Sequence, residues 1–279
     1  NQGSLEAGLK ELETIRASGH PLSLEATMLY ALVQGYVLQE TDKGINVMNT
    51  IITRNPANRL ALFLGASLAI KNSQSEAALE LLNRLGQQQT GLPIYFADYL
   101  KGEVYLHKAE YLNSITSFRW FINHYRGQNN IKDAHYKIGL CYFLNGNGND
   151  AQAVFKLAKN VGKEITEADK YAARSLAETE LPHLKLTKAR YFTDGGYYDQ
   201  ARMILESILP AETPTLRDQV EFQYRRARLD HKTKKLATAK AYYIKTIEVN
   251  GTEEWYYAPN ACLQLGYLAI ADNDSSAAQ

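Results

Sequence analysis

The sequence predicts an all-α fold, an α-α superhelix built as a solenoid of helical hairpins. Three observations point there. A small residue recurs at Gly8, Gly44, Ala77, Ser114, Ala151, Ala201, Ala239 and Ala278, at intervals of 36, 33, 37, 37, 50, 38 and 39 residues, close to the roughly 34-residue period of helix-turn-helix repeats. Four residues after each of the first seven, one turn further along the same face, stands a large apolar side chain: Leu12, Met48, Leu81, Phe118, Phe155, Leu205 or Tyr243. Prolines fall between the units, in His20-Pro21, Asn55-Pro56, Leu92-Pro93, Leu181-Pro182 and Thr213-Pro214, where each can end one helix or open the next.

Each unit reads as a first helix, a short turn and a second helix. Twelve residues before each mark the first helix carries Leu32, Gly65, Gly102, Gly139, Ala189, Ala227 or Gly266, mostly small, so two antiparallel helices can approach closely. Gly146, Gly148, Gly195 and Gly196 lie in the turns, suited to a helix C-terminus with positive φ. Residues 131–159 form the clearest hairpin. The 50-residue step holds an extra helical excursion over residues 161–181, with Thr166 as its N-cap and acidic residues in its first turn. It separates N-terminal repeats (residues 1–160) from C-terminal repeats (residues 182–279). The last unit, with Gly266 and Ala278 in register, is expected to be incomplete, and the opening residues read as the middle of a repeat.

Composition narrows the function classes. Lys plus Arg number 31 against 30 for Asp plus Glu, and the formal net charge is +1. No global field therefore draws the chain to nucleic acid or to an anionic membrane. No apolar run approaches the ~18 to 20 residues of a membrane span. Cys141 and Cys262 are far apart in apolar surroundings and read as buried small hydrophobes. The six histidines form no i, i+4 pair, so neither a metal nor a cofactor is expected. The NGNGND run at 145–150 follows a helix rather than a strand and has no Lys-Ser/Thr, which makes it a turn and not a phosphate loop. Residues 221–250 are locally basic, but their cations spread over more than one helical face.

Gly139, Tyr142, Ala151, Phe155 and Ala158 match the tetratricopeptide repeat pattern, and the whole chain resembles that family. More narrowly, residues 121–146, 167–172, 188–201 and 256–269 are similar to a bacterial tetratricopeptide family common in Bacteroidetes and distantly similar to Iml2-type proteins. The resemblance implies a non-enzymatic, protein-binding scaffold, exported to the periplasm if it follows the bacterial members and cytoplasmic otherwise. It also implies that first helices line a concave groove. The groove candidates are Tyr99, Glu103, Tyr136, Leu140, Phe143, Arg190, Tyr224, Arg228 and Tyr267, a mixture of Tyr and Arg of the kind that binding hot spots favour. Packing between repeats is the competing role for the tyrosine column. The expected partner is a protein or peptide. The alternatives are a small ligand held in the aromatic groove and self-association through open repeat ends.

Overall fold

The computed structural model describes residues 3–88 and 90–271, and every regular element among them is helical. In order these are α1 (Leu5–Ala17), α2 (Ser23–Leu32), α3 (Thr41–Arg54), α4 (Arg59–Lys71), α5 (Ser75–Gly86), α6 (Phe96–His107), α7 (Tyr111–His124) and α8 (Ile131–Leu144), followed by α9 (Gly148–Asn160), α10 (Glu167–Ala177), α11 (Leu184–Gly195), α12 (Tyr198–Glu206), α13 (Leu216–Lys232), α14 (Leu236–Asn250) and α15 (Tyr257–Ala271). The fold is all-α, and helices pack in consecutive pairs as antiparallel hairpins. One compact unit comprises residues 1–106 and 110–176, and a second comprises residues 107–109 and 177–279.

The hairpin turns share one backbone solution. Gln39, Ser73, Ala109, Gly146, Gly196 and Lys234 all take positive φ, between 59° and 88°. In five of the six, the next residue's N–H donates five residues back: Gln74 to Ala69, Glu110 to Tyr105, Asn147 to Tyr142, Tyr197 to Phe192 and Lys235 to Asp230, at 2.8 to 2.9 Å. This closes the C-terminus of the first helix in a left-handed cap. Five residues beyond each left-handed residue comes the buried small side chain of the second helix: Gly44, Ala78, Ser114, Ala151, Ala201 or Ala239.

That rule corrects the register at three places. In α5 the small residue is Ala78, fully buried and followed by the equally buried Leu82, whereas Ala77 is exposed. In the α2–α3 hairpin a π turn over Val33–Val37 adds one residue, and Glu40 N–H reaches back six positions to Gln34. Ala31, fully buried, therefore takes the place expected for Leu32, and a Cβ on Gly44 would meet its carbonyl oxygen at 2.6 Å. At the N-terminus Gly8 makes no close approach, because α1 buries no residue and nothing lies within 4 Å of a Cβ there. Ala278 lies outside the described residues.

The small residues matter because aromatic rings fill the space they leave. A Cβ on Gly102 would sit 2.7 Å from the Phe118 ring, and one on Gly139 would sit 2.6 Å from the Phe155 ring. Ser114 Oγ donates to the Gly102 carbonyl at 2.8 Å, and the buried Cys141 thiol donates to Ser114 Oγ at 3.2 Å. Cys262, expected to be buried, is exposed on α15.

Beyond α9, the extra helix α10 is capped by Thr166, whose hydroxyl accepts from Asp169 N–H at 3.1 Å and donates to its carboxylate at 2.8 Å. Asp169 is fully buried because that carboxylate also reaches the start of α8. It accepts from Asn130 N–H at 2.9 Å and from Asp133 N–H at 3.2 Å, filling donors that helix α8 leaves unpaired. Lys132 Nζ in turn donates to the carbonyls of Ala158 and Lys159 at the end of α9.

Gly139→Ala is expected to lower stability by about 1 to 2 kcal/mol, since overpacking against Phe155 outweighs the helix preference for alanine. Gly148→Ala, with nothing within 4 Å, is expected to change it by less than about 0.5 kcal/mol. Urea denaturation of both variants measures the difference, and equal midpoints would contradict the close approach.

Candidate functional site

Of the side chains that the sequence places on the first-helix face, three of the four tyrosines turn inward. Tyr99, Tyr136 and Tyr224 are only 4%, 5% and 6% exposed, and Leu140 is buried with them. Each ring packs on aromatic side chains of its own hairpin, and those of Tyr136 and Tyr224 also meet rings from the element that follows. Tyr99 stacks on Phe96 at 4.7 Å and meets Phe118 and Phe121 edge-on. Tyr136 packs on Phe155 and Tyr171, and Tyr224 on Tyr243, Tyr256 and Tyr257. Packing is thus what these three rings do, within the hairpin for Tyr99 and also between hairpins for Tyr136 and Tyr224, and little of their area is left for a ligand.

The other candidates keep some access. Glu103 and Phe143 are half-buried in the first unit. In the second unit Arg190 lies 3.6 Å from Asp194, Arg228 donates to Gln264 at 3.2 Å, and Tyr267 is 45% exposed on α15.

Two buried ionic clusters lie beside the tyrosines. In the first unit Lys137 pairs with Asp133 at 2.7 Å and with Glu103, and its Nζ donates to the Tyr99 hydroxyl at 2.9 Å. That hydroxyl donates to Asp133 Oδ2 at 2.6 Å. Burial drives the Asp133 pKa above the ordinary carboxylate value, with the Glu103 charge adding to the rise and Lys137 opposing it. Burial likewise holds the Tyr99 phenol protonated well above its usual range.

In the second unit Arg225 grips Glu221 Oε1 through Nε at 2.9 Å and Nη2 at 2.6 Å, and also donates to the Tyr256 hydroxyl. Tyr257 donates to Glu221 Oε2 at 2.7 Å. Burial alone would raise the Glu221 pKa. The Arg225 charge and the hydrogen bonds from Tyr257 and Arg225 outweigh it and hold the carboxyl below its ordinary value.

Both clusters occupy the same register. Asp133-x-x-Tyr136-Lys137 and Glu221-x-x-Tyr224-Arg225 repeat an acid, a tyrosine and a base, with the acid and base at i, i+4. This pentad was the signal available in the sequence, hidden by attention to the tyrosine column alone. In each case a tyrosine from an adjacent first helix completes the acid's bonding. Such paired groups organise a core.

No group of three or more His, Cys, Asp or Glu converges as metal ligands among the described residues. No described helix is long and apolar enough to cross a membrane. The chain matches no protein-family model and no curated protein.

Arg225→Leu is expected to cost about 3 to 5 kcal/mol by stranding the buried Glu221 charge, and Glu221→Gln/Arg225→Leu to recover much of that loss, measured by chemical denaturation at pH 7. A folded pKa below the unfolded one makes Glu221 stabilising above the ordinary glutamate range. That contribution is lost as pH falls through the depressed value. Wild type should therefore lose more stability than Glu221→Gln between about pH 5 and 3, and parallel pH profiles would contradict the pairing.

Proposed function

We propose that the chain is a non-catalytic, tetratricopeptide-like scaffold that binds a protein or peptide partner along its first-helix faces. The observation that carries this is the distribution of access within one register. On the first helices Gly102, Gly139, Ala189 and Ala227 are buried with Tyr99, Tyr136, Tyr224 and Leu140, while Glu103, Phe143, Arg190 and Tyr267 keep solvent-facing surface. Large aromatic and cationic side chains carried on the first helices of a packed helical unit suit recognition of an extended or helical segment. The buried titratable groups, by contrast, have structural partners that account for them.

A second reading has an observation of its own. On α15, Leu263, Tyr267 and Ile270 are 50%, 45% and 63% exposed and lie on one helical face. That apolar stripe favours self-association through α15. Light scattering of wild type beside Leu263→Ser/Ile270→Ser separates the two readings, since a monomer at all concentrations removes the second.

Phe143→Ala and Tyr267→Ala are expected to weaken binding of the natural partner by about 2 kcal/mol each where they act as anchors, roughly 30-fold in Kd. Both are chosen because neither belongs to the buried clusters. Affinity capture from native extract followed by mass spectrometry, with the double variant in parallel, identifies the partner and tests the face together. Equal recovery of every partner by the double variant would overturn the proposal.

A further inference from the structure

Away from the first-helix faces, a cavity of about 160 Å³ opens where the C-terminal ends of α1 and α3 flank the N-terminus of α2. Its lining mixes polar side chains with the apolar Leu24 and Ile51, and its charged groups are of one sign. Arg16 comes from the last turn of α1, Ser23 and Thr27 from the first turns of α2, and Thr50, Arg54 and Asn55 from the end of α3. No carboxylate lines it, and neither arginine makes an ion pair with a described residue. The Arg16 guanidinium is held 4.3 Å from the centre of the Tyr30 ring, whose hydroxyl donates to Glu13. A stacked guanidinium of this kind keeps its N–H fork directed while its position is fixed.

The donors in this cavity are unequally committed. Thr27 donates to the Ser23 carbonyl at 2.6 Å and Thr50 to the Val47 carbonyl at 2.7 Å, so their hydroxyl protons serve their own helices. The Ser23 hydroxyl and the Asn55 amide have no such bond, and α2 begins without a side-chain cap at Leu22. An arginine in the last turn of a helix also offsets that helix's macrodipole. That role is local to each helix. It requires neither a shared cavity nor the uncapped N-terminus of α2 between the two.

We propose that this cavity binds a phosphate group. Two positive charges, Arg16 held against the Tyr30 ring and Arg54 exposed at the cavity edge, match a phosphate dianion, the guanidinium forks match its oxygens bidentately, and Ser23 Oγ, Asn55 Nδ2 and the Leu24 and Glu25 amides at the start of α2 supply further donors. The volume admits a phosphate group together with water. The group is either free or carried on a phosphorylated side chain. Its binding is independent of the partner face argued above.

Calorimetric titration and thermal melting, at constant ionic strength set with chloride, test this with inorganic phosphate and with N-acetyl phosphoserine amide. Wild type should bind at least one of them and melt higher in its presence, more strongly at pH 8 than at pH 6 as the dianion forms. Tighter binding of the phosphoserine compound would mark a phosphorylated side chain as the source, and tighter binding of inorganic phosphate a free anion. Arg54→Gln should weaken binding about tenfold or more while lowering the phosphate-free melting temperature only slightly, through the lost macrodipole contact, and Arg16→Lys should weaken binding less than Arg16→Gln. Absence of binding by wild type to either probe would overturn the proposal, as would equal affinity in Arg16→Gln/Arg54→Gln.

Discussion

The hairpins are organised by a backbone constraint at the end of each first helix, where one residue enters the left-handed region. With the cap closed by a hydrogen bond five residues back, the start of the second helix is fixed in both direction and rotation. The small side chain that must face the first helix then falls five residues on, and the large apolar side chain four residues later is placed against the first helix, as Phe118 is over Gly102 and Phe155 over Gly139. Four of the six left-handed positions are not glycine, so the chain tolerates some backbone strain at Gln39, Ser73, Ala109 and Lys234. Burial of the second-helix face offsets that strain.

The two ionic clusters show a different use of the same frame. A buried acid and base on adjacent turns of one helix cost desolvation, and they persist here because every partner is supplied within reach. The tyrosine hydroxyl from a neighbouring helix is the decisive third member, Tyr99 for Asp133 and Tyr257 for Glu221. An apolar residue could fill the same volume. The polar arrangement adds directionality, because only one rotation of the neighbouring helix brings the hydroxyl to the carboxylate. These clusters favour one register between adjacent hairpins, and Phe143 and Tyr267 stand on the surface that this register defines.

Much of the fold was legible because the small-to-large spacing reflects covalent geometry. It failed where geometry changed locally. A π turn inserts a residue without any signal in the pattern, so Ala31 rather than Leu32 meets Gly44. Adjacent alanines made Ala77 and Ala78 interchangeable on paper, and only the left-handed Ser73 distinguishes them. The candidate face was harder to read. A tyrosine at helical spacing looks the same whether its ring is presented or packed, and for Tyr99, Tyr136 and Tyr224 the decision lies with rings contributed by other elements, such as Phe118, Tyr171 and Tyr257. Phe155 over Gly139 was recoverable from spacing alone; Tyr99, packed on Phe118 of its own hairpin, and Tyr136 and Tyr224, packed also on rings of the following element, were not.

Asp169 gives the first unit an unusual closure. In a simple repeat array the terminal hairpin can peel away without disturbing its predecessor beyond their common face. Here the carboxylate that starts α10 also completes the opening turn of α8, more than thirty residues earlier, and Lys132 on that turn secures the end of α9. Peeling α10 away would therefore expose unpaired amides in α8 and weaken the anchor of α9 in the same event. Three helices open as one block, so hydrogen exchange of their amides follows a common free energy in place of a gradient from the edge.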